Sequence, residues 1–478
     1  MRDNYFDAHI FWAFLLVLVW APLPLGSNRV WAWNLLAGAI FGLLALLFVT
    51  RLGYRGSWGR VFEEYAPQMI LLLFWVLVPL LQVVDLHPGL MRLISPATIE
   101  VYRFAGLADG AMTISLDREA TLSEWLKYMS YLGAGFLVLA LAGTRERVRQ
   151  LALTLFLVGC FEALFGMGIY LTRTDLSWWV PINPFQATGT FVNRNHFAGL
   201  LAMTLSVGLG LLIGWMRRGR SEWSWRDTLL GLMQDLGGRR GVMAGLIISM
   251  FLALFLSQSR AGTLAVMASL TLIAFLAHFR RRKSTRERRL IFPILILALI
   301  GGLWLGLGHL AGRFVEADLD LARRVYVFNG TVEKIGNFPG IGTGSGTFQY
   351  TYPLYRTEAV TKFYQHVHND YLEILSDQGL LGFGLLGSGV LSCWLIMVRR
   401  YLKRRDPFAR GILFASLAGT MALLIHGLVD FNFQIPSNAL YFWVLLAMGL
   451  QAAVLPHQQV IRSRATPKTS HFPSELSR

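Results

Sequence analysis

AGTLAVMASLTLIAFLAHFRRRKSTRERR, residues 261–289, runs for nineteen positions without an Asp, Glu, Lys or Arg and then delivers seven basic residues within ten. About 20 apolar residues in a helix cross the ~30 Å hydrocarbon core of a bilayer, and Lys/Arg-rich connections collect on the cytoplasmic side. The stretch therefore predicts a membrane-spanning helix followed by a cytoplasmic loop. That fixes both the fold class and a direction for the rest of the chain.

The same pairing recurs in both directions. Twelve apolar runs are centred near residues 17, 40, 75, 135, 159, 205, 249, 270, 299, 388, 418 and 447, so the expected fold is all-α and polytopic with about twelve transmembrane helices. Composition agrees: 54% of the 478 residues are hydrophobic, only 15% are charged, and mean hydropathy is +0.49. Soluble domains carry about 25% charged residues. The net charge of +16 belongs to loops rather than to a nucleic-acid footprint. RLGYRGSWGR (51–60), TRERVR (144–149), RRGRSEWSWR (217–226), RRRKSTRERR (280–289) and RRYLKRR (399–405) all fall on one side if the helices alternate, together with the tail VIRSRATPK. With both termini cytoplasmic, the segments 85–127, 172–195, 257–261, 309–375 and 429–437 face outward. The expected division is helices 1–9 over 1–308, a large outward loop over 309–375, helices 10–12 over 376–456 and a cytoplasmic tail over 457–478. The N-terminal run lacks a small-x-small cleavage site and is expected to stay as the first helix. Cys160 and Cys393 sit inside apolar runs, which suggests neither a disulfide framework nor a metal site.

Polar residues at helix ends in a membrane are costly and tend to mark function. The outward ends carry many of them. FVNRNHFAG (191–199) brings Asn193, Arg194, Asn195 and His196, and SQSRAGTL (257–264) sets Arg260 in a tight turn. LARRVYVFNG (321–330) adds Arg323 and Arg324. HVHNDYLEILSDQG (366–379) adds His366, His368, Asp370 and Glu373, and HGLVDFNFQIP (426–436) adds His426, Asp430 and Asn432. Plain readings stand beside the functional one: Arg260 snorkelling to headgroups, Asp430 and Asn432 capping a helix, a single histidine simply hydrogen-bonded. A shared outward face favours one site. Guanidiniums suit phosphate oxygens, and an imidazole suits taking a proton from a hydroxyl. GIGTGSG (340–346) lacks the Lys-Ser/Thr ending of a phosphate loop and reads as a glycine-permissive turn. The His366-x-His368 pair has no second ligand cluster, so no metal is expected.

Four stretches together resemble the O-antigen ligase superfamily, which holds O-antigen ligases, O-antigen-type polymerases and related oligosaccharyltransferases: GTFVNRNHFAG, SQSRAGTL, RVYVFNGTVEKIGNFPGIGTGSGTF (324–348) and HVHNDYLEILSDQGLLG. The signature of a histidine eleven residues before a glycine fits His368 and Gly379, and the Arg-xxx-Leu signature fits Arg260 and Leu264. The large-loop arginine of the family stands four residues before a Trp. Arg324 occupies that place with Phe328 in the aromatic position, and Arg323 beside it leaves two arginines to choose between.

The resemblance implies a GT-C-like membrane enzyme of the bacterial inner membrane, with its site on the periplasmic face. It implies an inverting, metal- and cofactor-independent glycosyl transfer from an undecaprenyl-diphosphate-linked glycan to a hydroxyl of lipid A–core or of another lipid-linked glycan. His368 would act as general base and Arg260 and Arg324 would bind diphosphate. Arg194, Asn195, Arg323, His366, Asp370, Glu373 and Asp430 are secondary candidates, with Asp370, Glu373 or His366 orienting His368. The rival classes are a polymerase of the same superfamily, a lipid-linked-sugar transporter, and a non-catalytic scaffold. Transporter sites lie near the midplane, whereas the polar residues here lie at helix ends.

Overall fold

The computed structural model describes residues 5–52, 60–107, 110–174, 183–215, 238–278, 314–358 and 360–456. Its helices are α1 Tyr5–Trp20, α2 Val30–Arg51, α3 Arg60–Glu64, α4 Ala66–Gln82, α5 Pro88–Ile94, α6 Pro96–Phe104, α7 Arg118–Leu141 and α8 Arg145–Thr172. There follow α9 Arg194–Trp215, α10 Arg239–Leu256, α11 Arg260–His278, α12 Phe314–Asn337, α13 Phe348–Thr351, α14 Asp370–Lys403, α15 Pro407–His426 and α16 Pro436–Val454. Among the described residues there is no strand, only an isolated bridge between Leu86 and Met112. The protein is an all-α polytopic membrane protein. Seven of these helices (α2, α8, α9, α11, α14, α15, α16) are long and apolar enough to cross a bilayer, and α1, α4 and α10 contain shorter apolar helices. Eleven of the twelve expected runs coincide with described helices, α7 among them, and the run near 299 lies outside the described residues. The figure of twelve is therefore not established.

The helix ends are written locally. Asp117 caps α7 by accepting from the Ala120 amide, Thr144 caps α8, and Asp406 caps α15 ahead of Pro407 at the first turn. Pro there lacks only an amide that would be an orphan in any case. Burial sorts the bundle: the apolar window of α16 is 94% buried and that of α14 only 28%. Thus α16 is central and α14 lines the edge. Next to α16, α9 and α15 run along each other so closely that a Cβ on Gly210 would stand 2.3 Å from the Gly411 carbonyl oxygen. Small residues let helix backbones approach in this way where lipid gives no hydrophobic drive.

One face of the bundle is tied by ion pairs: Arg51 with Asp7 at 3.1 Å, Arg145 with Asp406, and Arg400 with Glu64, while Arg404 donates to the Leu455 carbonyl. Three of the basic segments that alternation puts together, those holding Arg51, Arg145 and the pair Arg400 and Arg404, supply these contacts. The described parts of the segments expected to face outward gather at the opposite, upper end of the bundle. The 85–127 segment folds there as the short helices α5 and α6, and α12, α13 and the chain to residue 369 cover the bundle.

α14 is broken. Gly379 has φ +61° and ψ −167° inside it, a backbone region that essentially only glycine enters. The break separates a nine-residue upper piece from the long lower helix, and the GIGTGSG turn fills the gap. The Leu380 and Leu381 amides donate to the Pro339 and Gly340 carbonyls, and the Ser376 and Asp377 carbonyls accept from the Thr343 and Gly344 amides. Gln82 at the end of α4 completes the repair. Its amide donates to the Ile341 and Asp377 carbonyls, and its oxygen accepts from the Ser345 amide. Irregular backbone at membrane depth survives where protein satisfies it. Buried Lys334 of α12 donates to Ser376 Oγ at 2.8 Å and lies 3.6 Å from Asp377, pinning the outer helix to the same break. Burial draws the Lys334 ammonium below its ordinary range, against the pull of Asp377.

Candidate functional site

The site forms where the upper piece of α14, the start of α9 and the turn 427–435 between α15 and α16 meet. Asn369 caps α14, its side-chain oxygen accepting from the Tyr371 and Leu372 amides at 3.0 Å each. Its own amide group donates to the Leu428 carbonyl at 2.9 Å, and the Asp370 amide donates to the Gly427 carbonyl at 2.8 Å. Asp370 in turn accepts from the Phe433 amide at 3.3 Å. These contacts weld the HVHND segment to the 427–435 turn.

His368, one residue before the cap, has φ +60°. A non-glycine residue in the left-handed region carries about 1–2 kcal/mol of strain, and such strain gathers at functional sites. The conformation turns the imidazole toward Asp430. Nδ1 lies 3.6 Å from Asp430 Oδ1, just beyond hydrogen-bond length, a looseness common in catalytic pairs before substrate binds. Asp430 is completely buried and has three imidazoles around it. His196 Nε2 is 3.9 Å from Oδ1 and His426 Nε2 is 4.0 Å from Oδ2, in addition to His368. Burial pushes the Asp430 carboxyl upward, but His368, His196, His426 and the Phe431 amide outweigh it and hold the group well below the usual carboxylate range. Asp430 accepts from its neighbour Phe431 and does not cap α16, so the capping reading fails for it. His196 Nε2, His368 Nδ1, both nitrogens of His426 and Asp430 Oδ2 have no hydrogen-bond partner among the described residues. Buried polar atoms in that condition are rare and call for an explanation.

Phe431 is the hub of the rings. His366 stacks on it at 4.5 Å and 22°, while His368 and His196 meet it edge-on, each at 4.7 Å. His366 belongs to a second pair: its Nδ1 lies 2.7 Å from Glu373 Oε1, and Glu373 Oε2 accepts from the Val367 amide. Burial draws the His366 imidazole down, but the Glu373 carboxylate overcomes this and the net shift is upward. The sequence reading offered Asp370, Glu373 or His366 as the group orienting His368. The geometry corrects this: Glu373 holds His366, Asp370 holds the 433 backbone, and Asp430 is the carboxylate beside His368. Sixty-two residues separate the two in sequence, and only the packing of α14 against the 427–435 turn joins them.

Of the two large-loop arginines, Arg324 makes the contact, Nη1 donating to the Val429 carbonyl at 2.9 Å, one residue from Asp430. Arg323 is half-buried beside it. Phe328, in the aromatic position, packs against the small core of the outer segment. Arg260 is exposed at the first residue of α11. Two residues on, a Cβ at Gly262 would stand 2.6 Å from Ala198 and 3.2 Å from His426 Cε1, so the first turn of α11 packs against α9 and His426. Arg194 and Asn195 open α9 half-buried, and Asn193 caps them by accepting from the Asn195 amide at 2.8 Å. Asn438 ties His196 to Asn432, donating to the carbonyl of one and the side-chain oxygen of the other.

A cavity of about 350 Å³ runs down α14 from this cluster. Asp370 and Phe433 stand at its head, and Tyr371, Phe383, Trp394 and Trp443 are among its walls. Below the break at Gly379, from Phe383 to Trp394, the helix rises roughly 17 Å along this cavity. Sequence reasoning missed this cavity, the break at Gly379 and the buried Glu162. Glu162 accepts from the Thr190 amide and hydroxyl and so fixes the approach to Asn193–His196. A lone acid in the apolar run of α8 was the available signal.

These features define a polytopic membrane protein with an imidazole–carboxylate cluster and arginines at one end of the bundle. Residues 245–387 match the family model described as O-antigen ligase, which places this stretch, with Arg260, Arg324, His368 and Gly379, in the O-antigen ligase superfamily. No curated protein matches the chain. The match supports a ligase- or polymerase-type function in O-antigen biosynthesis, on lipid-linked glycans and polysaccharide or lipid acceptors in general. Asp430, His196 and His426 lie outside the matched stretch; the sequence singled them out at helix ends, and the geometry brings them together.

Proposed function

We propose that the protein transfers a glycan from undecaprenyl diphosphate to an acceptor hydroxyl at the periplasmic face of the inner membrane, as an O-antigen ligase acting on lipid A–core. The observation that carries this reading is His368, held in a strained conformation with Nδ1 toward buried Asp430 and the opposite ring nitrogen left for substrate. The acceptor oxygen attacks the anomeric carbon, its proton passes to His368 Nε2, and the bond from that carbon to the diphosphate oxygen breaks. One displacement inverts the centre. Asp430 keeps the proton of the neutral imidazole on Nδ1 and stabilises the imidazolium that forms, a role typically part of a 10²–10⁴-fold contribution from general base catalysis.

Charge develops on the departing diphosphate. Arg324 and Arg260 meet it, preplaced guanidiniums supplying the positive charge, and loss of one such group costs about 3–4 kcal/mol in comparable sites. The lipid tail lies in the aromatic-walled cavity along α14, which begins at the same cluster. Arg194, Asn195 and Arg323 are second-rank contacts to diphosphate or acceptor.

His368→Ala tests the assignment: transfer is abolished while membrane insertion persists, and full activity would remove His368 as the base. The superfamily also contains polymerases, and the family match covers both. In a deletion strain, accumulated long lipid-linked chains identify a ligase and single repeats a polymerase.

A further inference from the structure

His368 is constrained on three sides. Its Nδ1 edge faces Asp430 at 3.6 Å, Phe431 meets the ring at 4.7 Å and 80°, and Tyr364 meets it at 6.1 Å and 83°. Asp430 and Phe431 belong to the turn 427–435, whereas Tyr364 comes from the outer segment. It packs against a small separate core of Val327, Phe348, Tyr352, Val360 and Val367 and is only half-buried there. Its neighbours Lys362, Phe363 and Gln365 are exposed, Phe363 at 64%. Tyr364 is thus a ring on a firm footing, at the accessible edge of the base.

The chemistry of that place is unlike that of the arginines. An aromatic face is electron-rich and offers nothing to a diphosphate. It does suit the C–H face of a pyranose, whose hydrogens are weakly positive. Ligand sites commonly combine such walls with a few polar groups that fix orientation. The base contacts the acceptor's hydroxyl and not the donor's leaving group, so the ring beside the base is on the acceptor's side.

We infer that Tyr364 is the platform on which the acceptor's sugar ring stacks, presenting the reacting hydroxyl to His368. This rests on the glycosyl-transfer reading above and adds the acceptor subsite to it. Tyr364 is a positioning residue for substrate, and the proton still moves from the acceptor oxygen to His368.

The test uses the full chain in lipid nanodiscs, an undecaprenyl-diphosphate-linked oligosaccharide as donor, and either rough lipopolysaccharide or a second, distinguishable lipid-linked oligosaccharide, titrated separately, as acceptor. Tyr364→Leu keeps the apolar footing and removes the π face. The acceptor concentration for half-maximal rate then rises about three- to tenfold, the effect of one lost aromatic stack. The donor concentration for half-maximal rate stays in place, which also reports a folded protein. Tyr364→Trp brings the acceptor value back to within about twofold of wild type. Should the Leu variant fail to insert, Tyr364→Met fills the same space and is read in the same way.

An unmoved acceptor value, a loss confined to kcat, or failure of Trp to restore overturns the inference. The two levels separate cleanly. If wild type transfers to either acceptor and His368→Ala does not, an unmoved Tyr364→Leu sinks only the stacking platform. If wild type transfers to neither, the glycosyl-transfer reading falls and the platform with it.

Discussion

Asp430→Asn replaces the buried carboxylate with a neutral group of the same shape. As His368 takes up the acceptor's proton, a unit positive charge appears 3.6 Å from Asp430 Oδ1. At an effective dielectric of ~20 two unit charges at that separation interact by about 4.6 kcal/mol, and each ~1.36 kcal/mol is a factor of ten in rate. The full charge is only partly developed in the transition state, so kcat should fall about 10²- to 10³-fold. The amide can also turn an N–H toward Nδ1, which favours the tautomer with its proton on the wrong nitrogen. Folding is spared, because an amide oxygen still accepts from the Phe431 amide. The assay is steady-state transfer from a lipid-linked glycan in nanodiscs, with thermal unfolding as control. Because Asp430 acts through His368, the double variant with His368→Ala should be no slower than His368→Ala alone. A loss below tenfold in a stably folded Asp430→Asn, or additive losses in the double variant, would refute the dyad.

Arg324→Ala should reduce transfer at least tenfold more than Arg323→Ala, since Arg324 alone of the two is seen bound to the Val429 carbonyl; equal losses would withdraw the choice between them. Gly379→Ala forces a Cβ to 2.4 Å from the Gly340 oxygen at φ +61°, which should lower the unfolding temperature sharply and detach the outer segment, as read by limited proteolysis. The pair of His366 and Glu373 gives a pH signature. The folded-state pKa of His366 is raised above its ordinary value of ~6.5, so the stabilisation is fully present below that value and is lost as pH rises through the folded pKa. Protease protection of the 353–369 segment should decline across that window in wild type and show no such step in Glu373→Gln.

Much of this molecule could be read before it was seen. The alternation of apolar runs with basic loops placed eleven helices, because burying twenty residues in lipid leaves composition little freedom. GIGTGSG was recognisable as a turn from glycine content alone, and three of its four glycines (342, 344 and 346) have positive φ. His368, Arg260 and Arg324 were singled out through resemblance. Asp430 was visible only as one acid among several. Its role depends on a tertiary contact between α14 and a turn more than fifty residues later, and no local pattern encodes that. The same holds for Gln82, which looks like an ordinary helix end yet donates to Asp377 at the break in α14 and accepts from Ser345 in the turn that fills it. Nor could spacing tell Arg323 from Arg324: neighbours on a helix point about 100° apart, and only the partner surface decides which one is used.

The seam at Gly379 bears on how the protein is made. The lower part of α14 can enter the bilayer on hydrophobicity alone, as soon as it leaves the ribosome. The nine residues above the seam cannot settle until the glycine turn and Gln82, both synthesised earlier, have been brought to the same spot. Biogenesis therefore acquires an order: the seat of the outer segment is complete only once the tenth apolar run has emerged, and His368 can meet Asp430 only once the turn between the following two is in place.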